Sequence, residues 1–427
     1  RDRMNRFRQL WDYGVKVFGL HEFLERYQDS RVNSEYRPAA IISLFMGSIA
    51  GRVGSLFQIE RMGKSGELNR FVWGRKKPSA DTMGYALEHA DADQAQAYNA
   101  SIIQKARRNK VHAFGTYRGW RVCAVDGTET YSTQSPCAKV FAWLKRRLSS
   151  SGEEEFYERA LAVSYVGAQP RLLLAMERIL PGEGEVSAAI RVLQDLRLSN
   201  HRYCDIFCAD ALYAQAPFIN AVVSQGMDVL VKVRQDNYHL VRDMDELMAR
   251  EPACVFRGVT PKDEPIENNQ GVTYDLELWD AEGFTSWEQV DCPLRCVKVR
   301  ETKKVTCNGE LVSETVSEYH IATTVPAALM KPLRVWEIAH RRWDIENTVF
   351  NDLKQNWGFR HCYTHDPNGI RAVYALYCIV FNLMLLFAYK NLKDAPGRGV
   401  TLKELARQIL WASNVGMDDW GSRPGNA

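Results

Sequence analysis

Three acidic residues stand out by position. Asp126 ends the apolar run VCAV, and Asp210 ends the run IFCA. A carboxylate at the end of an apolar run is costly unless something pairs with it. Glu346 lies in the middle of a helical pattern further along the chain. The chain holds 52 Asp and Glu, most of them expected at the surface, so placement and not number singles these three out. Two acids at strand ends and one on a packed helix can meet on one face of a sheet. Carboxylates brought together repel one another and require cations. Hard oxygen donors suit Mg²⁺, with Mn²⁺ as a substitute. Two such ions, about 4 Å apart, activate a water and stabilise the leaving oxygen of a phosphodiester.

The helix around Glu346 carries more. Arg342, four residues earlier, lies on the same helical face. Phe350 continues that face, and Lys354 follows about two turns after Glu346. Two readings are open: a structural ladder of ion pairs, or a metal ligand between two groups that grip phosphate. Basic clusters occur at Arg75-Lys76-Lys77, Arg107-Arg108-Lys110 and Lys145-Arg146-Arg147. The first lies just upstream of Ser79, a candidate N-cap for the helical run that begins SADTMGYALEHA. A cationic loop beside a helix start suits phosphate contact, while a plain helical cap domain is the alternative.

The elements that must position these groups change in texture along the chain. Residues 1–115 read as helical, with apolar residues spaced three and four apart over Asn5–Gln28, Ala39–Glu60 and Ala80–Arg108. From Trp120 to Arg234 the order is β-β-β-α-β-α-β, with a turn at Gln169-Pro170 and a helix stop at Gly226. Such an order argues for an α/β fold, a mixed sheet covered by helices, with its site at the strand ends. From about 235 to 325 helical periodicity disappears. Short strand-like runs (ACVFRGV, TYDLELWDA, LRCVKVRET, KKVTC, VSEYHIATTV) alternate with turn signals at Glu282-Gly283 and Asn308-Gly309, as in an all-β insertion. Helix returns at Leu333. The division is a helical N-terminal DNA-binding region (1–115), a first catalytic part (116–234), the β insertion (235–325), a second catalytic part (326–395) and a tail (396–427).

Composition sets the outer bounds. At 427 residues, 46% hydrophobic and 25% charged, the chain can bury two or three sizeable cores, and general disorder is excluded. A net charge of +3 says little, because a nucleic-acid enzyme needs basic faces and not a basic average. The ten cysteines form no zinc-site spacing and read as free thiols in a reducing cytoplasm. The N-terminal RDRMNRFRQL lacks the apolar run of a secretory signal. Ala372–Tyr389 approaches the length of a membrane span, but it reads better as a buried core helix, and no membrane is expected.

The run RRWDIENTVFNDLKQNWGFRHCYTHDPN resembles the signature helix of bacterial insertion-sequence transposases of the IS-four group. AVDGT around Asp126 and FCADALY around Asp210 resemble the first two acid motifs of that group, and KKPSADTMGYAL its helical N-terminal part. The resemblance spans about residues 75–390. It implies a ribonuclease-H-like fold interrupted by a β insertion, and cut-and-paste DNA transposition. Asp126, Asp210 and Glu346 would bind the metals, and Arg342 and Lys354 would contact the DNA end as the Arg and Lys of the Y-R-E-K signature. The partners implied are terminal inverted repeats, target DNA and a second copy of the chain in a synaptic homodimer. Two departures stand out. The signature Tyr falls on Ala339, with His340 or Trp336 as possible substitutes, and Lys354 is one residue further from the Glu than usual. Some related enzymes stack a flipped base on an aromatic of the insertion, a position near Tyr319 here; a cross-strand tyrosine is the simpler reading. A DNA-binding relative without cleavage, and a two-metal nuclease, remain the alternatives.

Overall fold

A computed structural model of the chain describes residues 6–68, 77–200, 202–234, 238–260, 270–392 and 401–414. Each long helical stretch expected near the N-terminus is a pair of helices, cut where the backbone turns left-handed or a side chain caps a new start. Helices α1 (Arg6–Phe18) and α2 (Leu20–Arg26) part at Gly19, whose φ of 69° a side chain would strain. Helices α3 (Pro38–Ala50) and α4 (Leu56–Lys64) part at a turn closed by Ser55, which accepts from the Gln58 amide. Ser79 caps α5 (Ala80–Glu88) through the Thr82 amide, and Asp91 caps α6 (Ala92–Arg108) through the Gln94 amide.

The sheet follows. Strand β1 (Val122–Thr133) pairs antiparallel with β3 (Glu154–Val166), and the short β2 (Lys145–Leu148) pairs with the far half of β3. Strand β4 (Leu173–Arg178) takes the rest of that edge, after a turn that contains the cis Gln169–Pro170 peptide. Helix α7 (Glu185–Asn200) leads to β5 (Ile206–Ala209), and α8 (Ala216–Ser224) to β6 (Asp228–Lys232); β1, β5 and β6 run parallel. The order β4-β3-β1-β5-β6, with three antiparallel strands followed by two parallel ones, is that of a ribonuclease-H-like fold.

The segment expected to be all-β departs in two ways. It opens with a helix, α9 (Tyr238–Met248), whose Leu240, Met244 and Met248 are buried at helical spacing. Its strands β7 (Cys254–Val259), β8 (Gln270–Phe284), β9 (Leu294–Cys307) and β10 (Glu310–Thr323) also do not form a separate layer. Strand β10 pairs antiparallel with β6, so the insertion prolongs the central sheet to ten strands. Gly283 is no turn between strands; it sits at an irregularity inside β8, whereas Asn308-Gly309 does turn β9 into β10.

The chain returns through α10 (Pro332–Arg341), a π-helical turn (Ile345–Phe350) and α11 (Asn351–Asn356) to α12 (Pro367–Asn391). Helix α12 is long and apolar enough to cross a membrane, yet it packs against α3, α5, α6 and β4, and 94% of its most apolar window is buried inside the protein. Part of the expected tail is helical: α13 (Leu402–Asn414) packs on α1 and α3, burying Leu405, Ala406 and Ile409.

Candidate active site

Strands β1 and β5 lie side by side with Ala124 opposite Cys208, so Asp126 and Asp210 stand level. Asp210 follows the last residue of β5 as expected, but Asp126 does not end a strand: β1 runs on to Thr133 because its pairing with β3 continues, with Asp126 opposite Ala162. Asp210 caps the short turn Ala211–Tyr213, accepting from the Leu212 amide at 2.8 Å. Asp126 accepts from the Gly127 amide at 2.9 Å. Glu346 arrives from the π-helical turn, and one guanidinium joins the two sides: Arg342 Nη1 lies 2.6 Å from Glu346 Oε1 and 3.3 Å from Asp126 Oδ2. Burial pushes the Asp126 carboxyl up, and a hydrogen bond with Glu346 and the charges of Glu346 and Asp210 add to it. Arg342 opposes them, and the carboxyl sits at about 8. Asp126 therefore feels both of the other acids.

The lead-in to Glu346 is anchored from below. Asp344 accepts from the Gly167 amide at 2.8 Å and from Arg171 Nε at 3.2 Å, which fixes the entry of the π turn to the β3–β4 connection. The π turn also bears on the spacing of Lys354. A π turn takes up about one residue more than an α turn. The extra residue between Glu346 and Lys354 is thereby absorbed, and the Lys354 ammonium comes within the field of Asp126 and Glu129, though burial and Arg360 lower its pKa.

Sequence reasoning missed a fourth acid. Glu185, in the first turn of α7, is buried and accepts from the Gly127 amide at 3.1 Å and from the Tyr213 hydroxyl at 2.8 Å. Arg159 pairs with its other oxygen. One carboxylate thus ties the residue after Asp126 to a residue three beyond Asp210. Nothing local announces it, because both contacts are made only when α7 folds back over the sheet.

Tyr319 does not join the acids. Its half-buried ring lies under the Lys232 ammonium at 4.0 Å, and its hydroxyl donates to Glu301 Oε2 at 2.9 Å. Trp336 Nε1 donates to the same oxygen at 2.8 Å, and His340 Nε2 lies 3.3 Å from it. Both residues that stood as substitutes for the missing signature Tyr are therefore engaged with the insertion, while Ala339 is buried. Lys232, also missed, ends β6 between this cluster and the acids; burial lowers its pKa against the pull of Glu301. Arg75 and Lys76 lie outside the described residues. Lys77 is half-buried, with its ammonium donating to the Gly63 carbonyl. Arg147, in a third basic cluster, is paired with Glu129 and Glu155.

Among the described residues, no three His, Cys, Asp or Glu side chains are arranged to hold an ion. The donor chemistry nevertheless fits a hard divalent cation. Asp126 stands level with Asp210 on the neighbouring strand, and the Arg342 guanidinium bridges Asp126 to Glu346, so these three carboxyls would be the oxygen donors for such an ion. A family model described as a transposase DDE domain matches residues 118–383, which contain all three acids, Arg342 and Lys354. No curated protein matches the chain.

Proposed function

The chain belongs to the transposase DDE-domain family, and from that premise we propose that it is a DNA transposase of the IS-four group. It cuts the phosphodiester at the ends of an insertion sequence and joins the freed 3′-hydroxyl to target DNA, acting in the cytoplasm as a homodimer on paired terminal repeats. The observation that supports this reading is the Arg342 guanidinium bridging Asp126 to Glu346, with Asp210 level with Asp126 on the neighbouring strand.

Each residue has a definite task in this reading. Asp126, Asp210 and Glu346 present the oxygen donors. Bound there, Mg²⁺ or Mn²⁺ supplies a water of lowered pKa and positive charge at the leaving oxygen. Arg342 holds the carboxylates together in the free protein and turns to a phosphate oxygen when DNA arrives, a contact suited to its planar fork. Lys354 adds a second phosphate contact along the same helical path. Glu185 holds the two strand ends in register through Gly127 and Tyr213.

The test is cleavage and strand transfer on a duplex that carries the element's own terminal repeats, taken from the DNA flanking the gene. It is run with Mg²⁺, Mn²⁺ and EDTA, beside Asp210→Asn. Metal-dependent release of 3′ ends and their joining, both lost in the variant, is the expected result. Release without joining would make the protein a nuclease. End binding with no cutting in either protein would make it a DNA-binding relative.

A further inference from the structure

A cleft of about 770 Å³, open to solvent, lies away from the acids. It lies at the other end of the sheet, where β1 and β5 begin. Arg121, which lines it, immediately precedes β1 and is five residues before Asp126. At about 3.3 Å per residue the two backbones stand roughly 16 Å apart.

Its lining is cationic. Arg107, Arg108 and Lys110 come from the end of α6 and the turn after it; Arg121 and Arg202 come from the lead-ins to the two strands. The acid in the lining is Asp205, and it is already engaged: Arg121 donates to it from Nη2 at 2.8 Å and from Nε at 3.2 Å, and Arg202 lies 3.5 Å away. Arg107 donates to the Arg202 backbone carbonyl at 2.8 Å, which ties the end of α6 to the lead-in of β5. Arg108 and Lys110 form no salt bridge among the described residues and are exposed. Among the described residues most other arginines pair with an acid, so the exposed charges of Arg108 and Lys110 stand out.

A second observation points to the kind of ligand. Phe114, between the lining residues Ala113 and Gly115, is 90% exposed, more than any other large hydrophobic residue described. An apolar ring held in solvent beside a row of guanidinium and ammonium groups suits a polymer with a phosphate backbone and flat bases. A free anion would have no use for the ring.

We propose that this cleft binds a second DNA segment, distinct from the one whose phosphodiester reaches the acids, with Arg108 and Lys110 on phosphates and Phe114 against a sugar or base. The inference rests on the reading of the protein as a DNA-processing enzyme.

The test uses the full chain. Binding of a 40-base-pair duplex of arbitrary sequence is followed by fluorescence anisotropy across a KCl series, for the wild type, Arg108→Ala/Lys110→Ala and Phe114→Ala. Loss of two phosphate contacts lowers the slope of log affinity against log salt by about 1.8 and weakens binding on the order of tenfold at 0.1 M salt. Phe114→Ala weakens binding at every salt concentration with the slope unchanged. Single-turnover cleavage by the double variant at saturating DNA stays at the wild-type rate, because the acids are untouched. Wild-type affinity and slope in the double variant, with the wild type itself binding, would overturn the cleft as a DNA site and leave the enzyme reading intact. Failure of the wild type to bind duplex at any salt would overturn both.

Discussion

At the residue scale, Asp126 shows what crowding does to a carboxylate. It is mostly buried beside two other acids, and one guanidinium bridges it to Glu346. Its position was readable because a charge after four apolar residues needs a reason; Asp210 was readable in the same way. Glu185 was not, since its partners are Gly127 and Tyr213, far from it in sequence. Groups that orient metal-binding side chains commonly contribute 10- to 100-fold. Glu185→Gln keeps the shape but breaks the pair with Arg159. It should slow end cleavage by about that factor, with end binding unchanged in a gel-shift assay. An equal loss of binding would show that the residue is merely structural. Gly127→Ala gives an independent check. A Cβ there would strike the Glu185 carboxylate and the Arg159 guanidinium, so the variant should lose cleavage together with about 2 kcal/mol of stability, read by urea denaturation. A fully active, fully stable variant would mean that the carboxylate is free to move.

At the scale of elements, α10 and the π turn decide where Arg342, Glu346 and Lys354 stand. The insertion fixes α10 through Glu301 on β9. Burial would raise the pKa of Glu301, but hydrogen bonds from His340, Trp336 and Tyr319 outweigh it and hold the carboxyl at about 2. The folded value is below the unfolded one of about 4.3. The stabilisation is therefore complete above that pH and is lost as pH falls toward 2. Between those limits wild-type stability should fall more steeply than that of Glu301→Gln in denaturant titrations at stepped pH. Parallel slopes would remove Glu301 from the account. On the far side of Glu346, Lys354→Ala should reduce the salt dependence of end binding by about one contact, a slope change near 0.9. An unchanged slope would mean that the π turn does not direct the ammonium to phosphate.

At the scale of the whole molecule, the helical N-terminal region and the sheet are one body. Asn382, fully buried in α12, accepts from the Leu173 amide at 2.8 Å and donates to the Leu173 carbonyl and to Asn99 on α6. Three elements from distant parts of the chain meet at one amide. Asn382→Ala leaves buried partners unpaired and should cost about 2–3 kcal/mol, measured by urea denaturation. Deleting residues 1–115 would uncover the apolar face of α12, so the remainder should aggregate when expressed. A soluble, cooperatively folding fragment would show that the regions are separable. Helix α13, docked on α1 and α3, belongs to the same body, although composition suggested only a tail.

Local chemistry set much of this by itself. Alternation of strands and helices from Trp120 to Arg234, the cap at Ser79 and the acids that follow two apolar runs all follow from spacing and side-chain type, which neighbours along the chain decide. What the tertiary structure alone decided involves partners remote in sequence. The insertion joins the sheet because β10 finds the open edge of β6. Glu185 becomes a tie because α7 returns over β1. Tyr319 turns inward because Glu301 and Lys232 meet it there. The cationic cleft exists because the end of α6 lies beside the starts of β1 and β5. Such contacts depend on where strands pair and helices dock, and no periodicity records that.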